Sequence, residues 1–142
     1  MEEPTIDMIM KAYAADAVAC ASKRNITFDY SEESLAEIDR LLGSEEFIGV
    51  TPRKPYSSED EETLWTLSKM IGAYVGEVTI RVFGGSWQSE DSSDGSVCPI
   101  IEIEGIKGYP IEKVWKRLTE SQFDGLGGYC RTLRAIVSNR IN

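Results

Sequence analysis

The stretch from Ser57 to Gly85 limits what this chain can fold into more than any other. Ser57 or Ser58, followed three residues later by Asp60 or Glu61, reads as a capping-box start, and the acids Glu59, Asp60, Glu61 and Glu62 suit the positive end of a helix dipole. The helical pattern continues to Phe83, where Gly84-Gly85 breaks it, so about 25 residues form the longest element of the fold. Leu64, Leu67, Ile71, Tyr74, Val75, Val78 and Val82 make a main apolar stripe. Trp65, Gly72, Gly76 and Phe83 make a second face about a third of a turn away. Glycine costs about 1 kcal/mol against alanine inside a helix. Two glycines four apart therefore mark a close approach, expected from the N-terminal or the last helix. The alternative is a homo-oligomer interface built on the flanking aromatics.

With 142 residues, 42% of them hydrophobic and 27% charged, the chain fits one domain, residues 1–142, with a single core. Residues 5–23 read as a first helix, from Ile6, Ile9, Met10, Tyr13, Ala17, Cys20 and Ala21, and Asn25 can end it. Tyr30-Ser31 opens a second, with Ser31 as N-cap, Leu35, Ile38, Leu41 and Leu42 as its apolar face, and Gly43 as its stop. Ser86-Trp87-Gln88 reads as a strand and Val97 to Glu104 as its return, with Pro99 at an edge or a strand start. Pro110 begins a helix with Ile111, Val114, Trp115 and Leu118 on one face, and a last helix runs from about Asp124. The expected class is α+β: about five helices around a long central helix (about 58–83), with a small antiparallel hairpin or sheet (about 86–104).

Several chemistries are excluded by composition. The chain has no histidine, which removes Ser-His and Cys-His nucleophiles, the H-E-x-x-H zinc site and every imidazole base. Cys20, Cys98 and Cys130 are odd in number and widely spaced, and read as free thiols. Glu77 reads as an exposed partner of Arg81 one turn on. Glu102 and Glu104 read as one face of a solvent-facing strand. A histidine-free enzyme or small-ligand module would have to use Glu77, Glu102 or Glu104, with Tyr74 nearby. Gly125-Leu126-Gly127-Gly128 lacks the lysine and hydroxyl of a phosphate loop. No cofactor and no metal site is indicated.

Charge points to a protein partner. The net charge is −9, and residues 1–62 hold 15 acids against 6 bases, whereas residues 63–142 hold nine of each. Lys113, Lys116 and Arg117 form a basic stripe, but the scattered bases make a poor phosphate track, so direct nucleic-acid binding is not expected. No apolar run approaches the roughly 20 residues of a membrane span. The start Met1-Glu2-Glu3-Pro4 is acidic where a secretory signal is basic, so a cytoplasmic location is expected.

Trp65 to Val78, with G-A-Y-V-G-E-V at Gly72–Val78, is followed by G-G-S-W at Gly84–Trp87 and P-I-E-K-V-W-K-R-L at Pro110–Leu118. This pattern resembles a group of small bacterial proteins with no assigned activity, over roughly the last 80 residues. The resemblance implies a bacterial or bacteriophage origin and carries over no catalytic residue. Small size, acidity and the lack of a catalytic constellation fit an intracellular binding protein, such as an immunity protein that inhibits a cognate toxin with a basic domain. The partner surface is expected along the connection 44–57: Phe47 and Ile48 as apolar anchors, with Glu45, Glu46, Glu59, Asp60, Glu61 and Glu62 as the steering charge. Val50 also looks exposed there, and Pro52 and Pro55 stiffen the loop; the alternative is that these apolar side chains cover the protein's own core.

Overall fold

The computed structural model describes residues 3–50, 55–91, 93–120 and 125–141. The chain runs through α1 (Ile6–Ser22), α2 (Ser34–Leu42), α3 (Glu45–Ile48), α4 (Ser58–Phe83), β1 (Ser86–Asp91), β2 (Val97–Ile103), β3 (Ile106–Gly108), α5 (Pro110–Thr119) and α6 (Leu126–Ile141). The α+β class and the long central helix are as expected, with a sixth, short helix and a third strand added. Pro52, Asp124 and the side chain of Glu45 lie outside the described residues.

The central helix starts where its cap places it: the Ser57 hydroxyl accepts the Asp60 N–H at 3.0 Å. It ends at Gly84, whose φ of +81° favours a residue without Cβ. The two expected faces merge, because every residue from Ile71 to Thr79 is buried. Helices α1 and α5 and strand β2 all pack on α4. Their cover stops short of the ends, so Trp65 and Val82, both expected inside, are 45% and 39% exposed.

The glycines are filled from within the chain, though by neither helix expected. A Cβ on Gly72 would lie 2.6 Å from the Ile111 Cα, at the start of α5, and one on Gly76 would overlap the Trp87 ring. Helix α1 packs on α4 through a different seam, Met10, Ala14, Ala17 and Ala21, at i, i+4, i+7 and i+11. The three alanines let the helix axes approach closely, so Ile9 is left 38% exposed. Asn25, at φ 60°, turns the chain away after α1.

Tyr74 anchors the segment before α2. Its hydroxyl accepts the Tyr30 N–H at 2.8 Å and shares a hydrogen bond with the Ser34 hydroxyl at 2.7 Å. Its ring meets those of Phe28 and Tyr30 at 5.0 and 4.9 Å between centroids. Tyr30 stands at φ +64°, a conformation that side chains of this size rarely adopt, held there by these contacts. Ser31 accepts the Ser34 N–H at 3.2 Å, but a tight turn intervenes and α2 begins at Ser34, two residues later than the cap suggested.

Strand β1 pairs antiparallel with β2 from Ser86↔Glu102 to Asp91↔Val97, and β2 with β3 from Ile101↔Gly108 to Ile103↔Ile106. Pro99 pairs only with β1, on a part of β2 that has no second neighbour, which accommodates its missing N–H. The hairpin to β3 was not anticipated. It turns on Glu104-Gly105, with φ of 51° and 80°, the signs a two-residue type I′ turn requires. Glu104 therefore leaves the strand and does not share a face with Glu102.

Pro110 opens α5 at its first turn, as expected, and Ile111, Val114 and Leu118 are buried. Helix α6 is started from a distance: the Asp39 carboxylate, on α2, accepts the Leu126 N–H at 2.8 Å. The Arg117 guanidinium donates to the Asp39 carbonyl at 3.2 Å, so α2, α5 and α6 meet at one residue. Among the described residues no helix is long and apolar enough to cross a membrane.

Candidate functional site

The connection before α4 is less open than its sequence suggests. Residues 45–48 form α3, which turns Phe47 into the core at 7% exposed, and Val50, just past the helix and Gly49, is buried at 5%. Only Ile48 of the apolar trio is half-buried. The Arg24 guanidinium, just past the end of α1, lies 5.0 Å from the Phe47 ring centroid and closes that ring from outside.

A cleft of about 530 Å³ opens between the end of α1, α3 and the first turns of α4. Phe47, Ile48, Leu67 and Met70 supply apolar lining, Thr63 and Thr66 hydroxyls, and Glu59 and Glu62 carboxylates. The α4 residues recur at i, i+3, i+4, i+7, i+8 and i+11 from Glu59, so a single face of one helix presents them all. Neither Glu59 nor Glu62 has an ion-pair partner among the described residues. Their charge is aimed at solvent beside an apolar surface, which suits recognition of a basic group.

Four of the eight residues expected to bind a partner, Phe47, Ile48, Glu59 and Glu62, are brought together here. Glu46 is exposed on α3 but outside the lining, and Asp60 and Glu61 fall on other faces of the first turn of α4. Cys20, Arg24, Thr63, Thr66 and Met70 were not anticipated. Helical spacing from Glu59 and Glu62 pointed to the last three; nothing local to residues 20–24 linked them to residue 47.

Glu77 departs furthest from expectation. It is 6% exposed, and its carboxylate accepts the Trp87 indole N–H at 2.8 Å. Lys11 stands 3.8 Å from its other oxygen. The expected partner, Arg81, instead lies over the Tyr30 ring, 3.9 Å from its centroid. No family model matches this chain, and no curated protein or solved structure matches it. Its own geometry is thus what bears on function.

The three glutamates considered for catalysis are dispersed: Glu77 in the interior, Glu102 on the exposed face of β2, Glu104 in the hairpin turn. The described residues contain no group of three side chains able to hold a metal ion. Tyr74, buried under its own hydrogen bonds, has its hydroxyl pKa raised by desolvation and is placed to hold the fold. On α5, Lys113 and Arg117 are half-buried and Lys116 is exposed, facing α6 across a second cleft.

Proposed function

We propose that this is a cytoplasmic binding protein of the immunity type, which inhibits a basic toxin domain through the cleft between α1, α3 and α4. The observation that carries the reading is the placement of Glu59 and Glu62, without ion-pair partners among the described residues, beside the apolar lining of Ile48, Leu67 and Met70. A basic side chain entering the cleft exchanges water for a carboxylate on the rim and apolar surface beneath, the combination that characterises energetically dominant interface positions. The excess of acids over residues 1–62 adds long-range attraction that raises association rates and weakens with salt. The role assigned to the protein is occlusion of its partner rather than chemistry of its own.

The test is direct binding to the product of the adjacent gene. Glu59→Lys with Glu62→Lys is expected to weaken affinity by about tenfold or more, mostly through slower association, while costing the fold only about 1 kcal/mol per residue of helix-dipole stabilisation. Unchanged affinity in that variant, with normal folding, places the interface elsewhere.

A further inference from the structure

The second cleft, between α5, α6 and the end of β3, encloses about 590 Å³. Four cations and two carboxylates, Glu112 and Glu120, line it, and the cations are not equivalent. Lys107 is paired with Glu90 at 2.8 Å and Lys116 with Glu112 at 2.9 Å. Lys113 has no ion-pair partner among the described residues, and the only hydrogen bond shown for the Arg117 guanidinium goes to the neutral Asp39 carbonyl at 3.2 Å. Lys113 and Arg117 are one helical turn apart on the same face, and both are half-buried. Partial burial strips water from a cation and strengthens its attraction for an anion beside it.

The opposite wall is apolar and hydroxylic. Leu133 and Ile136 of α6, with Ile106 of β3, give the cleft its hydrocarbon surface, and Ile136 is 39% exposed. Thr132 lines the same wall. Tyr129 lines it too, with its hydroxyl buried. An inorganic anion alone would leave the hydrocarbon wall wet, and a neutral apolar molecule would leave both cations unmatched. The volume lies within the roughly 300 to 1,000 Å³ of small-molecule sites.

We propose that this cleft binds a small organic anion, with a carboxylate or phosphate head against Lys113 and Arg117 and an apolar body against Leu133 and Ile136. The head can belong to a free metabolite or to the end of a peptide; the recognition chemistry is shared. The site is separate from the acidic-rimmed cleft, so it stands or falls without the inhibitor reading.

Backbone and Thr methyl NMR of the intact chain, titrated with phenyl phosphate, N-acetyl-phenylalanine, inorganic phosphate and phenol, tests it. Saturable shifts are expected at Lys113, Arg117, Thr132 and Leu133 with one or both of the aryl anions, at concentrations where inorganic phosphate and phenol give none. Preference for phenyl phosphate assigns the head to a phosphorylated small molecule, and preference for N-acetyl-phenylalanine to a peptide terminus. Lys113→Ala, which breaks no ion pair among the described residues, should weaken the binding about tenfold or more, and Thr132→Val by a smaller factor. Absence of shifts in the cleft with both aryl anions, or shifts that Lys113→Ala leaves unchanged, overturns the proposal.

Discussion

The Glu77 carboxylate takes the Trp87 indole N–H at 2.8 Å, and the indole ring rests where Gly76 has no Cβ. Helix α4 and strand β1 are joined by that pair of contacts. Removing the donor should therefore leave a carboxylate with little compensation in the interior. Trp87→Phe is expected to lower stability by roughly 2 to 4 kcal/mol, combining lost packing with an unmade buried hydrogen bond. In urea unfolding, the double variant Glu77→Leu with Trp87→Phe should lose less than the sum of the singles. Additivity within about 0.5 kcal/mol would show that the bond contributes nothing.

Gly76→Ala is expected to destabilise by about 3 kcal/mol or more, since its new methyl meets a ring that Glu77 holds in place. Gly49→Ala is the informative contrast. Gly49 has open space around it and φ of +76°, so only backbone strain opposes the change, about 1 to 2 kcal/mol. Thermal melts of the two variants that rank the other way would refute the packing argument.

Phe47 and Ile48 should separate fold from recognition. Phe47→Ala removes a buried ring and is expected to cost about 3 kcal/mol of stability. Ile48→Ser, at a half-buried position lining the cleft, should cost about 1 kcal/mol or less while weakening partner binding. Both are read by pairing chemical denaturation with calorimetric affinity.

The Cys130 thiol, pushed up to about 11 by burial, stays protonated at neutral pH and should not react with thiol reagents in the native state. Its labelling rate under native conditions is expected to follow unfolding and to rise with mild denaturant. Rapid labelling in buffer, at the rate of a free thiol, would contradict its burial in α6.

Acid should weaken the fold in a defined direction. Arg40 holds Glu37, and Lys107 holds Glu90, below the ordinary glutamate value of 4.5, mainly through their hydrogen bonds. The unfolded chain binds protons at these groups first as pH drops, so their contribution is complete above 4.5 and disappears as pH falls through the lower folded values. Both pairs are exposed, so the effect is small and salt-sensitive. Urea midpoints measured across that window should fall less steeply for Glu90→Gln than for the unaltered chain.

Much of the fold was legible locally. The Ser57 cap, the Gly84 stop, the Pro110 start and the Ile101-Glu102-Ile103 alternation are short-range signals, each fixed by a residue's own backbone preference or by neighbours a few positions away. The glycine pair announced a close approach but not its occupant, because a missing Cβ specifies room and not what fills it. In the candidate site, the acids Glu59 to Glu62 were legible as one charged block but not which of them face the cleft, and Phe47, readable as an anchor or as cover for the core, covers the core.

The sequence by itself therefore determined an acidic chain without histidine, its α+β class, the extent of the central helix and the ends of most elements. Only the tertiary structure decided that Glu77 belongs to Trp87 rather than Arg81, that Asp39 caps α6 across 87 positions, and that Arg24 covers Phe47. Each of those pairings joins residues on different elements. A helical period says which way a side chain points, but what it meets depends on how the other elements pack around it.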